Sequence, residues 1–333
     1  MDLCAAPGRT DDMNRRRFLQ TAVSGSLALA TEPVAFAARL GGVAVAFVTA
    51  DLESHVVVVD LDTARVVKRI RTGPGPRSIE SIRRRIAVVG HTEYGVVTLI
   101  DAVSSRIRAE LDAFEAPRYA AVHPRGPFAY ITDSAREEVV AIDAEQARVL
   151  WRTRVPGPGR HVSVSPDGRI LWTALGTAAT RIAVLDTSDP RRPKLVRTVS
   201  PPFPAHDVVF SPDGRTVWVT SGSERRIALF RDGHRRVRIL GAGAHPQHVA
   251  FAADKAFVAS GDDGTVRRHR LDGTLVREAR VPTGSYNVTF GWRRLVTPSL
   301  GGGTVSVLDG NGRVDAVRRI ARAAHDACIV LVP

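Results

Sequence analysis

Short apolar runs that end in a turn recur along this chain about every forty residues, the period of a repeat architecture. The clearest copies are Ile170–Leu175, Thr216–Ser221 and Lys255–Ser260, in which an apolar stretch runs into Thr, Ala or Ser. Four further copies are Val45–Ala50, Arg85–Gly90, Phe128–Asp133 and Arg294–Ser299. Self-similarity at this spacing predicts an array of one supersecondary unit, and the fold does not by itself name a function.

Each unit contains four short runs separated by turn residues. In the unit that begins at Arg160 the runs are His161–Val164, Ile170–Leu175, Arg181–Asp186 and Lys194–Val199. The turn Ser165-Pro166-Asp167-Gly168 separates the first two runs, and the next unit repeats it as Ser211-Pro212-Asp213-Gly214. Pro, Asp and Gly favour tight turns, so each unit is predicted to be one four-stranded blade of a β-propeller.

The two ends of the repeat array each hold part of a unit. Residues Val43–Arg71 supply a second, third and fourth strand, whereas His325–Val332 supplies a first strand with nothing after it. Pairing them closes the ring and removes the exposed sheet edges. We therefore expect an all-β, seven-bladed propeller of four-stranded antiparallel blades, closed by the C-terminal strand on the N-terminal strands.

Five predicted third strands end in aspartate: Asp60, Asp101, Asp143, Asp186 and Asp309. An aspartate at the end of a strand can accept backbone N–H bonds in the following turn. We expect a structural role for all five.

The second strands carry a motif of two apolar residues followed by Thr. It reads Phe47-Val48-Thr49-Ala50, Tyr130-Ile131-Thr132-Asp133, Trp218-Val219-Thr220-Ser221 and Leu295-Val296-Thr297-Pro298. With the two Ser-Pro-Asp-Gly turns, this motif resembles the YVTN-repeat β-propellers over about residues 43–333. The resemblance implies the propeller fold. It also implies a choice of roles, because lactonase-like, haem-binding and surface-layer proteins share these repeats.

The N-terminal segment resembles a twin-arginine export signal. Asn14–Gln20 contains Arg residues followed by Phe-Leu, Thr21–Ala30 is modestly apolar, and Ala35-Phe36-Ala37 is a small-x-small cleavage site. This order is typical of a signal peptide. We expect residues 1–37 to be that signal, with 1–12 an over-extended start before Met13. Residues 38–333 would then form a single propeller in the periplasm or outside the cell.

The net charge is +13, but only three of the 47 basic residues are lysines. Arginines spread through every blade fit a compositional bias, and aromatics are only 6%. Nucleic-acid binding, which combines clustered bases with stacking aromatics, is therefore not expected. The chain lacks the roughly 18-residue apolar run of a permanent membrane span. Cys328 is expected to be a buried thiol, and the protein a monomer.

Candidate chemistry lies where the first strands begin, because in a propeller these strands line the central channel. The seven pairs of residues at these corners are Arg77-Ser78, Arg118-Tyr119, Arg160-His161, His206-Asp207, Gln247-His248, Tyr286-Asn287 and His325-Asp326. Four of the ten histidines occupy these fourteen positions.

Three functional interpretations remain open. The first is binding of a small polar or anionic ligand, or of a protein partner, with Arg77, Arg118 and Arg160 as bidentate donors. The ligand-binding set would be Arg77, Arg118, Tyr119, Arg160, His161, His206, Asp207, His248, Tyr286, Asn287, His325 and Asp326. No cofactor is expected in this interpretation.

The second interpretation is a lactonase-type hydrolase, with His161 or His206 as general base and Asp207 or Asp326 orienting the imidazole. The third is a metal- or haem-handling accessory protein, in which a transition metal is held by His161, His206, His248 and His325. A purely structural role is the fourth possibility, since His or Asp at a corner can also satisfy the backbone of the next blade.

Overall fold

The computed structural model describes residues 42–231, 235–242 and 245–332, with only the backbone given for 235–237. Within these residues the chain forms 28 strands in seven four-stranded sheets. The predicted signal segment, residues 1–37, lies outside the described residues. Among the described residues, no helix is long and apolar enough to cross a membrane.

The strands follow one another in four-strand units with short connections. In chain order they are β1 Val43–Ala50, β2 His55–Asp60, β3 Val66–Arg71, β4 Ser78–Ile82, β5 Ile86–His91, β6 Val96–Asp101, β7 Arg106–Leu111, β8 Pro117–Val122, β9 Phe128–Asp133, β10 Glu138–Asp143, β11 Arg148–Arg154, β12 Gly159–Val164, β13 Ile170–Leu175, β14 Ile182–Asp186, β15 Lys194–Val199, β16 Ala205–Phe210, β17 Thr216–Ser221, β18 Arg226–Arg231, β19 Arg235–Gly241, β20 Val249–Ala252, β21 Lys255–Ser260, β22 Thr265–Arg270, β23 Leu275–Arg280, β24 Thr289–Gly291, β25 Arg294–Ser299, β26 Thr304–Asp309, β27 Val314–Arg319 and β28 Ala327–Val332.

The seven sheets are the blades of a closed propeller. Blade 1 has the strand order β28-β1-β2-β3, and blades 2 to 7 are the consecutive quartets from β4–β7 to β24–β27. In blade 1, β28 pairs antiparallel with β1, so that Phe47 lies opposite Cys328. This confirms the predicted fold and the predicted closure by the C-terminal strand.

The core lies between neighbouring blades. Seven clusters of buried apolar side chains each join two adjacent blades, and together they run around the whole ring. The indoles of Trp172 and Trp218 are fully buried in two of these clusters. Cys328 is a buried free thiol on β28, as predicted. The fourth strands, such as β15, are the exposed outer edges, where charged side chains discourage edge-to-edge pairing.

The turn chemistry follows the sequence closely. Asp60, Asp101, Asp143, Asp186 and Asp309 each accept backbone N–H bonds from the turn that follows, which confirms their structural role. In the Ser165–Gly168 turn, Gly168 has φ +77°, and a Cβ there would collide with the ring of His123. Only glycine meets both requirements at this position.

Candidate functional site

The second residue of every predicted corner lines one central cavity. These residues are Ser78, Tyr119, His161, Asp207, His248, Asn287 and Asp326, and the cavity has a volume of about 250 Å³. Its wall continues along the first strands through small and apolar residues such as Ala121 and Val164. The first strands therefore line the channel, as expected for a propeller. The first residue of each corner lies outside this lining.

The threonine of the second-strand motif fixes these corners. Thr49 Oγ1 donates to the carbonyl oxygen of Arg77 in the next blade (2.9 Å) and accepts the backbone N–H of Asp326 (3.0 Å). Thr132 and Thr220 form the equivalent pair of bonds in two other blades. All three hydroxyls are buried. Each threonine thus ties the corner of its own blade to the corner of the next, which sets the positions of the cavity-lining side chains.

Three histidines from consecutive blades 4, 5 and 6 meet at one side of the channel. The ring of His161 lies 4.4 Å from that of His206 and 4.6 Å from that of His248, between ring centroids. One nitrogen from each of the three rings lies within 4.8 Å of the other two. The phenol ring of Tyr119 packs against His161 at 4.0 Å. Four aromatic side chains therefore form a compact cluster.

Burial keeps two of the clustered imidazoles, those of His161 and His206, neutral. Burial, followed by the nearby His206, His248 and Arg160, holds the pKa of His161 well below its usual range. Burial and then the charge of His248 lower the pKa of His206 to about 3. Burial also raises the pKa of the Tyr119 phenol. At neutral pH, His161 and His206 therefore present free nitrogen lone pairs, because neutral imidazole has one unprotonated nitrogen.

A carboxylate supports the cluster from behind. Asp207 Oδ2 lies 3.4 Å from His248 Nδ1, and the carboxylate also accepts the backbone N–H groups of Val208 (2.8 Å) and Val249 (3.3 Å). These bonds hold the acidic group beside one histidine of the three and fix its orientation.

Two arginines beside the cluster have no acidic partner in the part of the chain that the structure describes. Arg118 and Arg160 are half-buried, and among the described residues neither forms an ion pair with a carboxylate. Burial and then the charges of Arg160 and Arg77 lower the pKa of Arg118. Arg160 donates a hydrogen bond to the hydroxyl of Thr177, and its guanidinium lies 6.0 Å from the ring centre of Tyr119. Arg77 differs, since Asp51 lies 4.0 Å from it.

The opposite side of the ring is internally bonded. His325 Nδ1 bonds to the carbonyl oxygen of Arg77 (2.9 Å), and the amide of Asn287 donates to the carbonyl oxygen of His325 (2.7 Å). The carboxylate of Asp326 accepts the backbone N–H groups of Ile79 (3.1 Å) and Ala327 (2.8 Å). Burial raises the pKa of Asp326 to about 6, and the neighbouring His248 opposes this rise more weakly. At neutral pH the carboxyl group is therefore mainly ionised and accepts these hydrogen bonds.

Not every predicted site residue joins the cavity. Tyr286 lines a separate surface hollow, where its hydroxyl donates to Asp262 (3.0 Å). Gln247, at another corner, accepts the backbone N–H of Gly261 (3.0 Å) and is buried. The predicted set therefore divides: Tyr119, His161, Asp207, His248, Asn287 and Asp326 line the cavity, Arg77, Arg118, Arg160, His206 and His325 lie at its corners, and Tyr286 lies apart.

One ionisable residue of the cavity lining was not predicted. Glu80 lies on β4 and faces the channel. Its side chain is exposed to the solvent inside the channel, and the channel wall surrounds it. Burial and then the charge of Asp326 raise the pKa of Glu80 to about 8. The alternation of side chains along a strand could have predicted this position. Residues two apart on a strand share a face, and Ser78 was already assigned to the channel.

Comparison with known proteins identifies the architecture. No model of a known protein family matches the chain, and no curated protein matches it. Three solved structures are similar in fold: hydrazine synthase of Kuenenia stuttgartiensis, a functionally unknown protein of Desulfotomaculum acetoxidans DSM 771, and the dihydro-heme d1 dehydrogenase NirN in complex with DHE.

The three similarities are close in shape and distant in sequence. The TM-scores are 0.68, 0.76 and 0.60, at 15%, 13% and 16% identity. The alignments cover 77%, 86% and 83% of this chain and 89%, 98% and 64% of the others, in the same order. At this identity the similarity defines the protein as a β-propeller and carries no activity with it.

Proposed function

We propose that this propeller is an exported binding protein for a small anionic ligand, held at the mouth of the central channel by Arg118 and Arg160. The observation that supports the proposal is the absence of any carboxylate partner for these two half-buried guanidiniums among the described residues. Charged groups that are withdrawn from water are normally paired. A bound anion would supply that pairing.

The electrostatics of the corner favour an anion. Arg118 and Arg160 come from neighbouring blades 3 and 4, and the proximity of Arg160 is one reason why the pKa of Arg118 is lowered. An anion between them would relieve this repulsion and accept bidentate hydrogen bonds from planar guanidiniums, as carboxylates and phosphates do. Arg77 adds a third positive group on the same side, partly offset by Asp51.

The cavity next to the two arginines, which lie outside its lining, has room only for small molecules. Its volume of about 250 Å³ lies below the range of roughly 300–1,000 Å³ usual for drug-sized molecules. Inorganic phosphate or a short carboxylate fits this volume. A haem, such as the dihydro-heme d1 after which the dehydrogenase NirN is named, is too large for it.

Binding without turnover is the better-supported form of the proposal. A general base works best when its pKa is near the working pH. Because the pKa of His206 is about 3 and that of His161 is also far below its usual range, both are weak bases at neutral pH. A lactonase mechanism through these residues therefore has less support than ligand binding.

Calorimetric titration tests the proposal. The chelator-treated chain is titrated with inorganic phosphate and with succinate, alongside the double variant R118Q/R160Q and the matched surface control R215Q. Loss of charge-assisted hydrogen bonds, at roughly 1.5–3 kcal/mol each, predicts at least tenfold weaker binding by the double variant and no change in R215Q. Equal affinities in all three proteins, or no heat with either anion, would overturn the proposal.

A further inference from the structure

We propose that His161, His206 and His248 form a binding site for one divalent transition-metal ion, with a coordination position left open toward the channel. The proposal stands on its own geometry. Its extension, that the bound anion fills the open position, rests on the proposed anion-binding function.

The first argument is the convergence of three nitrogen ligands. The three rings come from three different blades, and one nitrogen of each lies within 4.8 Å of the other two. Imidazole nitrogens on one zinc ion at about 2.0–2.1 Å are ~3.3 Å apart in a tetrahedral arrangement. Small rotations of the three rings, with movements of ~1 Å, would therefore bring all three nitrogens onto a single ion.

The second argument is the unsatisfied state of His161. This ring is 1% exposed, and among the described residues neither of its nitrogens forms a hydrogen bond of normal geometry. The backbone of His206 lies close to the ring but is the weakest of the influences on its pKa. The other buried histidines of the described residues, His91, His123, His269 and His325, each bond at least one ring nitrogen to a protein oxygen. A buried polar group without a hydrogen-bond partner lowers the stability of the fold. Such a group is expected where a bound ligand supplies the missing partner.

The third argument is the carboxylate behind His248. Histidines that bind metals commonly donate their second ring N–H to a carboxylate, which fixes the tautomer and makes the ligand more basic. Asp207 lies 3.4 Å from Nδ1 of His248 and is held there by two backbone amides. A carboxylate held beside the second ring nitrogen of His248 is the arrangement expected around a metal-binding imidazole.

The surroundings can accommodate a cation. The carboxyl groups of Asp207 and Asp326 line the same cavity as His161 and His248. Neutral imidazoles suit zinc, copper, iron and nickel, and three protein ligands with one open position are typical of sites that bind a further molecule at the metal.

The test uses the full chain purified without a histidine tag and stripped with a chelator. Zn²⁺ is titrated by calorimetry, and Co²⁺ is titrated by visible absorption, which reports the coordination geometry of the bound ion. We expect one equivalent of each metal and the visible bands of cobalt bound to nitrogen in a four- or five-coordinate site. His161→Gln and His248→Gln should each weaken binding at least 100-fold. D207N should weaken it 10- to 100-fold, as losses of such supporting carboxylates do.

His55→Gln is the matched control, because His55 lies on β2 of blade 1, away from the cluster, and the variant should bind both metals as the parent does. Less than a tenth of an equivalent bound by the parent would overturn the proposal and leave an aromatic cluster only. So would equal affinities for the parent and for His161→Gln. The two proposals can fail separately. If the chelator-treated chain binds anions but no metal, this inference alone is wrong. If the chain binds metal but no anion, the proposed function alone is wrong.

Discussion

Two sides of the same ring use the same residue types for different purposes. On one side, His161 lies in the channel wall beside two other histidines, and among the described residues neither of its nitrogens forms a hydrogen bond of normal geometry. Arg118, which interacts with the neighbouring Tyr119, has no carboxylate partner among the same residues. On the other side, His325 and Asp326 bond to the backbone of blade 2 and to Asn287. A histidine at one corner is unbonded and a histidine at another is bonded, so residue type alone does not separate a binding site from a structural joint.

The contrast is energetic as well as geometric. The bonded side contributes to closing the ring, because β28 pairs with β1 there and its corner contacts the next blade. The side at His161 keeps buried polar groups unsatisfied, which costs stability unless something binds. Stability and binding should therefore respond in opposite ways to substitutions on the two sides.

The largest expected effect is at the closing corner. D326A should reduce the free energy of unfolding by about 2–4 kcal/mol, because it leaves the buried N–H groups of Ile79 and Ala327 without an acceptor. Urea unfolding followed by the fluorescence of the buried Trp172 and Trp218 measures this. D326N, which keeps an oxygen acceptor, should recover part of the loss. If D326A is no less stable than D309A, a substitution in an outer turn, the structural role assigned to this side is wrong.

The second effect has opposite signs on the two sides. In chelator, His161→Leu should raise the free energy of unfolding by about 0.5–2 kcal/mol, because an unsatisfied buried ring is replaced by an apolar side chain. His325→Leu should lower it by about 1 kcal/mol, since its hydrogen bond to Arg77 is lost. The same urea titration reports both. Equal destabilisation by the two variants would remove the distinction between the sides.

The smallest effect is a pH dependence from the channel carboxyls. The folded-state pKa values of Glu80 and Asp326 are raised, to about 8 and about 6. At these two groups the native state therefore binds more protons than the unfolded state. Their contribution to stability is fully present below about pH 4 and is lost as the pH rises through about 6 and about 8.

E80Q removes the higher of the two transitions. Its midpoint of thermal unfolding should fall less than that of the parent between pH 6 and pH 9, and D309A should follow the parent. Parallel pH profiles for E80Q and the parent would show that Glu80 titrates as an ordinary exposed carboxyl, consistent with its exposure to solvent in the channel.

The architecture was predictable because its signals are local and repeated. The Ser165–Gly168 and Ser211–Gly214 turns mark adjacent units, and the missing first strand before Val43 matches the extra strand from Ala327. A closed ring then places the first strands around one axis. This is why the cavity-lining positions, Tyr119 and His161 among them, could be named from the sequence.

The division of the site into two sides could not be predicted in this way. The bond between His325 and Arg77 joins residues 248 positions apart, and it depends on side-chain placement across the closing joint. Tyr286 was grouped with the cavity by its repeat position, yet it turns to Asp262 in a neighbouring loop. Such partners are set by packing between blades, which hydrophobic periodicity does not encode. The YVTN-repeat resemblance and the export signal stay predictions.

Anomalous diffraction from crystals soaked in selenate, which replaces phosphate or sulfate, would show directly where the protein binds an anion. We expect a selenium peak at the channel mouth, within hydrogen-bonding reach of both Arg118 and Arg160, that is absent from crystals of R118Q/R160Q. Selenium peaks confined to exposed arginines on the outer strands, with none at these two, would show that the channel mouth does not bind anions.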